Sequence, residues 1–249
     1  ARSVAKKGES ELARILDTMH DAANEVLSAY PRFAEVASRV HRMKALLHAV
    51  QLAVPGSSLD EETKTDLLFR LGIKEAQLNR ASAEALSLVV KIKPETGEWV
   101  PGQTTTVTVT AYNGGAIEVE HVQLRLRVPP GWTAKPLTPT TFPRLPYNQT
   151  VCTVYEVSVP AEAAFFHPYR PPILEVEALY FAFDIASTIR VVPDDSVAVL
   201  PPYSLTLTPS AVVRNTLHTE QPIPVKVTLK QYRPGSTTAR VSLAVPEGW

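Results

Sequence analysis

Cysteine, net charge and long apolar runs are all scarce in this sequence. Cys152 is the only cysteine among 249 residues, so the chain can form neither an internal disulfide nor a cysteine-rich metal site. The 25 Lys and Arg residues balance 25 Asp and Glu residues, which disfavours nucleic acid and other polyanions as partners. No run of about 18 apolar residues exists, so the sequence predicts no transmembrane segment.

The common catalytic signatures are also missing. The sequence has no Gly-x-Ser-x-Gly elbow, no His-Glu-x-x-His, no phosphate-binding loop and no dinucleotide fingerprint. Two aspartates follow a proline in the segment 192–196, but no histidine precedes Pro193, and Ser196 stands where a metal hydrolase would carry glutamate. We interpret this segment as a turn between strands. We therefore expect no catalytic residue, cofactor or metal ligand in this chain.

Both ends of the chain lack the usual marks of a terminus. Ala1-Arg2-Ser3 contains no initiator methionine and no hydrophobic signal segment, and Trp249 follows a strand-like stretch directly. We expect both ends to be cut from a longer protein.

Residues 1–87 are predicted to form helical hairpins or a small bundle. Apolar residues recur at steps of three and four on either side of Pro31, which predicts two amphipathic helices that pair. Ser58 and Glu61 have the spacing of a capping box, so a third helix should begin there and end at Gly72, and a fourth should span residues 73–86. The two apolar stripes comprise Leu12, Ile15, Leu16, Met19, Ala23, Val26, Leu27 and Tyr30, then Phe33, Val36, Ala37, Val40, Met43, Leu47 and Val50.

Three histidines lie in these helices. His20, His41 and His48 are 21 and 7 residues apart, which matches no metal-ligand pattern. We interpret them as solvated or partly packed side chains among Arg42 and Lys44. The apolar stripes could bind a partner helix, but we favour the simpler alternative that they cover each other.

Residues 88–249 are predicted to be all-β. Thr and Val alternate with each other in segment 106–110, apolar residues alternate with polar residues in segment 123–128, and Pro-Gly and Asn-Gly-Gly turns lie between such runs. The 22 prolines suit strand ends and edges, where they discourage pairing with other chains. We expect an immunoglobulin-like β-sandwich over residues 88–200.

An internal repeat of 117 residues divides this β part. The segment 124–132, which ends in Pro-Pro-Gly-Trp, returns as segment 241–249, which ends in Pro-Glu-Gly-Trp. Shorter matches link 107–109 with 225–227 and 92–94 with 207–209. Residues 201–249 are therefore predicted to begin a second, truncated sandwich. Its apolar side chains must be covered by continuing chain or by a partner chain, and they include Val225, Val227, Leu243 and Val245.

One loop carries the candidate contact residues. Its prolines predict an irregular segment, in which exposed aromatics beside an arginine could stack on a sugar ring or meet a partner protein. The residues are Phe165, Phe166, His167, Tyr169 and Arg170. For the aromatic strand that contains Tyr180, Phe181 and Phe183, we favour core or intermodule packing over a ligand groove. We interpret Trp132 as a cap on the sandwich core.

These motifs carry a family resemblance. Val-Pro-Gly-Gln at 100–103, Tyr-Asn-Gly-Gly at 112–115 and Val-Pro-Pro-Gly-Trp at 128–132 resemble sandwich modules associated with alpha-galactosidase. Residues 60–249 also resemble the C-terminal half of long bacterial deacetylases of the PIG-L or LmbE type. The resemblance implies an absent N-terminal domain whose His-Pro-Asp-Asp-Glu motif binds zinc and deacetylates N-acetyl sugars. It also implies a location outside the cytoplasm, in the periplasm or at the cell surface.

Two hypotheses of function follow. In the first, the chain is a non-catalytic accessory region of an exported deacetylase: it braces or spaces the missing catalytic domain, or it touches glycan. In the second, the same modules form a structural or interaction subunit that docks onto a larger envelope or membrane-bound assembly.

Overall fold

The structure, a computed structural model, describes residues 2–213 and 222–244 and consists of helices followed by mostly antiparallel sheets. The helices are α1 (Arg2–Ala29), α2 (Phe33–Ala53) and α3 (Glu61–Ala85). The strands are β1 (Leu88–Pro94), β2 (Glu98–Trp99), β3 (Thr104–Asn113), β4 (Val119–Arg127), β5 (Thr133–Pro136), β6 (Thr141–Leu145), β7 (Gln149–Ser158), β8 (Glu175–Ala182), β9 (Ile185–Val191), β10 (Ala198–Val199), β11 (Tyr203–Thr208) and β12 (Lys226–Gln231).

Helix α2 packs against both α1 and α3. The predicted apolar stripes meet in one cluster that contains Leu12, Met19, Val40, Leu47 and Val50. The break at Pro31 separates α1 from α2, so the predicted helical pair is confirmed. None of the described helices has a stretch that is both long and apolar enough to cross a membrane.

The predictions for the third and fourth helices are wrong in two respects. The N-cap of α3 is Asp60 rather than Ser58: one Asp60 carboxylate oxygen accepts from the Thr63 amide at 2.8 Å, and the other accepts from the Thr63 hydroxyl at 2.8 Å. Gly72 does not end a helix, because α3 runs through it to Ala85. An interior glycine costs a helix only about 1 kcal/mol, and burial of Leu71 and Leu78 on the same helix offsets that cost.

Two four-stranded antiparallel sheets face each other across one core. The first has strand order β1-β3-β7-β5, and the second has order β6-β4-β8-β9. Alternate residues point inward, as the period of a strand requires, and both sheets contribute to the same apolar cluster. The hydroxyl of Tyr155 on β7 crosses this core and donates to the Leu124 carbonyl on β4 at 2.6 Å. The α-then-β fold class, with a β-sandwich, is confirmed.

Strands β11 and β12 form a separate two-stranded ribbon whose register matches the first sandwich. The repeat equates Ile92 with Leu207 and Val109 with Val227. The structure pairs Ile92 with Val109 in β1 and β3, and it pairs Leu207 with Val227 in the ribbon. Positions that the repeat equates are therefore paired in the same way in the ribbon and in β1 and β3.

The ribbon is amphipathic, and its apolar face is open. Ile92 and Val109 are 6% and 0% exposed, whereas their counterparts Leu207 and Val227 are 44% and 37% exposed. Val225 and Leu243 are exposed as well. Val245 and the second Gly-Trp, at Gly248 and Trp249, lie outside the described residues. The opposite face of the ribbon carries Ser204, Thr206, Thr208, Lys226, Thr228 and Lys230.

Candidate functional site

A groove of about 290 Å³ opens at one end of the sandwich. Two segments form its walls: residues 164–173, which follow β7, and residues 193–196, which follow β9. The buried side chains of Leu174, Val197 and Val199 line its base. An apolar base with a few polar groups at the rim is typical of small-molecule sites, which span about 300–1,000 Å³.

Backbone hydrogen bonds tie the first wall of the groove to its base. The Phe166 amide donates to the Val199 carbonyl at 2.7 Å. Strand β10, which carries Val199, pairs in parallel with β2, and the Leu200 amide donates to the Trp99 carbonyl at 2.7 Å. Trp99 is fully buried, so the groove is tied to the sandwich core rather than to a free loop.

The five candidate residues fall in one loop, and four of them line the groove. These four are Phe165, Phe166, His167 and Arg170. Tyr169 stands at the tip of the loop with 91% of its surface exposed. Its ring lies 5.6 Å from the His167 ring at an angle of 51°, so the two rings present tilted rather than coplanar surfaces.

Asp195 and Ser196 are the groove residues that sequence reasoning missed. They belong to the segment interpreted as a turn; it is irregular in the structure, and it lines the same groove as Arg170. A carboxylate, a hydroxyl and a guanidinium around an apolar base can form hydrogen bonds with a polyhydroxylated ligand, while the phenyl rings cover its apolar face. No local sequence signal links residues 165–170 with residues 195–196.

The remaining aromatic residues have structural roles. Trp132 is half-buried, and its ring lies 5.9 Å from the buried Trp99 ring, which fits the predicted cap. Tyr180 is fully buried and contacts α3, as the packing interpretation predicted. Neither residue belongs to the groove.

A second polar cluster, here called the joint, connects the helices to the sandwich. Helix α2 contributes His41 and Lys44, α3 contributes Ser82, and strands β8 and β9 contribute Tyr180 and Ser187. All five residues are buried. The prediction that the three histidines are solvated or partly packed is therefore wrong for His41, because the sandwich covers this face of α2, whereas His20 and His48 are exposed as expected.

The geometry of the joint is a continuous hydrogen-bond network. Lys44 Nζ donates to the Ala186 carbonyl at 2.6 Å and to the Ser187 hydroxyl. The Tyr180 hydroxyl donates to Ser82 Oγ at 2.9 Å, and Ser82 Oγ lies 3.2 Å from His41 Nε2.

Burial shifts the protonation equilibria of the joint. Loss of water around the ammonium lowers the pKa of Lys44 to about 8, although the negative charge of Glu75 opposes this shift. Burial also lowers the pKa of His41; the hydrogen bond to the Ala37 carbonyl opposes the shift, and the charge on Lys44 adds to it. Burial raises the pKa of Tyr180.

The joint combines serine, histidine, lysine and tyrosine, but its full burial leaves no room for a substrate. We therefore assign it a structural role. In the part of the chain that the structure describes, no group of three His, Cys, Asp or Glu side chains is arranged to hold a metal ion.

Comparison with known proteins links the groove region to one family. Residues 99–170 match the family model of the NPCBM-associated, NEW3 domain of alpha-galactosidase. The matched segment begins at the buried Trp99 and ends at Arg170 in the groove, so it includes all five candidate residues. No curated protein matches the chain.

Several solved structures share limited similarity with the chain. The GAE domain of GGA2p from Saccharomyces cerevisiae is 12% identical over 42% of this chain and 86% of that domain, with a TM-score of 0.32. The CARDB domain of the PF1109 protein from Pyrococcus furiosus, solved with di-metal ions, is 13% identical over 43% of this chain and 86% of its own, with a TM-score of 0.25. Spo0M from Bacillus subtilis is 12% identical over 46% of this chain and 49% of its own, with a TM-score of 0.24. Scores this low carry no functional argument.

Proposed function

We propose that this chain is a non-catalytic accessory region of a carbohydrate-active protein and that its groove contacts a glycan. The observation that carries the proposal is the coincidence of two features in residues 165–170. This segment supplies exposed aromatic rings and an arginine to the groove. It also lies within the match to a domain of alpha-galactosidase, an enzyme that acts on sugars.

The size of the groove fits a short segment of an oligosaccharide. Its volume of about 290 Å³ is at the lower end of small-molecule sites, so it would hold one or two rings of a longer chain. The rings of Phe165 and Phe166 would lie against the carbon-hydrogen face of a sugar. Arg170 and Asp195 would provide a donor and an acceptor for neighbouring hydroxyl groups.

The proposal is tested by titrating the purified chain with a panel of neutral and N-acetylated oligosaccharides in a calorimeter. The variants Phe165→Ala and Phe166→Ala should each weaken binding by about fivefold or more, since truncating an aromatic anchor in an interface costs at least about 1 kcal/mol.

Tyr147→Ala is the matched control, because Tyr147 is an exposed aromatic residue beyond the opposite end of β7. The ten residues of β7 place it roughly 30 Å from the groove at about 3.3 Å per residue. Equal loss in all three variants, or no binding by the unaltered chain, would remove the proposal.

The finer proposal is that the parent protein is an exported zinc-dependent deacetylase of the PIG-L or LmbE type. It is supported by the sequence resemblance of residues 60–249 alone. The test is the coding sequence upstream of Ala1, where a His-Pro-Asp-Asp-Glu motif is expected within several hundred residues. If that reading frame lacks the motif, this parentage is wrong, whatever the outcome of the sugar titration.

A second candidate function, as an interaction subunit, is favoured by the open apolar face of the ribbon. Large exposed apolar patches on soluble proteins commonly mark interfaces. If Leu205 and Leu207 stay exposed in the natural protein, and that protein copurifies with a stable partner that Leu205→Lys releases, this function gains support. Burial of both residues within the natural chain itself would exclude it.

A further inference from the structure

The hydrogen-bond directions in the joint fix the tautomer of His41. Nδ1 of His41 lies 2.8 Å from the Ala37 carbonyl oxygen, and a carbonyl oxygen can only accept. The proton of the neutral ring is therefore on Nδ1, and Nε2 is left as an acceptor. The Ser82 hydroxyl, 3.2 Å away, donates to it.

The rest of the joint agrees with this assignment. Ser82 Oγ accepts from the Tyr180 hydroxyl while it donates to His41, so three residues from α2, α3 and β8 form one directed chain. Lys44 Nζ donates hydrogen bonds to β9, at the Ala186 carbonyl and the Ser187 hydroxyl. The two halves meet where Ser82 Oγ lies 3.4 Å from Ser187 Oγ.

A second proton on His41 would reverse one link of this chain. Nε2 would become a donor aimed at Ser82, and the hydrogen of Ser82 would need another acceptor inside a buried site. The new positive charge would also lie near Lys44, which is one helical turn along α2.

The groups that face His41 do little to compensate such a charge. Strands β8 and β9 contribute the neutral Tyr180 and Ser187. The turn between these strands places the Phe183 ring 5.2 Å from the imidazole, with the exposed Asp184 beside it. On α3, Ser82 is neutral, and the exposed Glu75 acts mainly on Lys44.

We propose that His41 is a proton-controlled lock on the joint, closed when the imidazole is neutral and opened when it becomes doubly protonated. Opening separates the β8–β9 hairpin from α2 and α3 while the sandwich itself stays folded. The device goes beyond glycan contact: it would let acidification change the angle between the helices and the groove-bearing module.

Amide hydrogen exchange, corrected for the intrinsic effect of pH, tests the lock on the whole chain. Between pH 7.5 and pH 5, protection of residues 82–83 and 185–189 should fall about tenfold or more. Protection of β3 and β7 should stay unchanged. His41→Gln keeps an acceptor near Ser82 but cannot titrate, so its protection should be independent of pH over this range.

His48→Gln is the matched control, because His48 is an exposed histidine on the same helix; it should behave as the unaltered chain does. A proton NMR titration of the unaltered chain gives a second measurement that needs no variant. His41 should titrate below the ordinary histidine pKa of about 6.5, together with the loss of protection. Equal protection at both pH values, the same pH-dependent loss in His41→Gln, or titration of His41 at or above that ordinary value would each overturn the proposal.

Discussion

The hydroxyl of Tyr180, in the core of the sandwich, donates to Oγ of Ser82 on α3 at 2.9 Å. The Tyr180 hydroxyl oxygen also lies 3.3 Å from the Asn79 carbonyl oxygen. Tyr180→Phe keeps the ring and removes only the hydroxyl, which makes both of these contacts between β8 and α3. A buried hydrogen bond contributes about 0.5–1.5 kcal/mol, so we expect a loss of about 1 kcal/mol in the free energy of unfolding, measured by urea denaturation.

The control for this change is Tyr112→Phe, since the Tyr112 hydroxyl bonds to Asn148 at the surface. It should alter stability by less than about 0.5 kcal/mol. Equal effects of the two substitutions would mean that the Tyr180–Ser82 contact adds nothing to stability.

The lowered pKa of Lys44 predicts that the free energy of unfolding rises at alkaline pH. Its pKa in the folded chain is about 8, whereas an unfolded lysine titrates near 10.4. Between these values the unfolded chain binds more protons than the folded chain, so the free energy of unfolding increases with pH. Compared with Lys44→Met, the unaltered chain should gain roughly 1–3 kcal/mol between pH 8 and pH 10. Parallel pH profiles of the two proteins would contradict this prediction.

The turn between β8 and β9 should accept glycine with a gain in stability. Phe183 and Asp184 have positive φ angles of 51° and 60°, a conformation that glycine adopts without strain and that two-residue hairpin turns favour. We expect Asp184→Gly to raise the free energy of unfolding by about 0.5–1 kcal/mol. Glu162→Gly is the control, because Glu162 lies in a turn with an ordinary φ angle, and it should be neutral or destabilising. A loss of stability in both variants would contradict the strained φ angles of the β8–β9 turn.

The repeat allows a paired test of the open ribbon. Ile92 and Leu207 occupy equivalent positions, but only Ile92 is buried. Replacing a buried isoleucine with threonine removes apolar burial and buries a hydroxyl, so Ile92→Thr should cost about 1–3 kcal/mol. Leu207→Thr should change stability by less than about 0.5 kcal/mol. Thermal melts of both variants measure the difference, and an equal cost would mean that the ribbon face is covered in solution.

The sequence predicted best what depends on local periodicity. Alternating residues were sufficient to anticipate the sandwich. The 117-residue repeat related Leu207 to Ile92 and Val227 to Val109, but the pairing of Leu207 with Val227 is visible only in the structure. The end of α3 was missed because Gly72 tolerates a helical conformation when Leu71 and Leu78 anchor the helix on either side of it. The joint and half of the groove were missed because their members come from distant segments. A buried lysine such as Lys44 has the same appearance in a sequence as a solvated one.

The contact between Lys44 and Ala186 joins residues 142 positions apart. At about 5–20 residues per second, a ribosome needs about 7–30 s to reach β9 after it has made α2. During that interval the docking face of α2 is exposed to water. A purely apolar face at this position would tend to associate with other nascent chains. His41 and Lys44 are readily hydrated there, so the polar residues of the joint disfavour association of the unfinished chain. In the folded chain the same residues connect the helices to the sandwich.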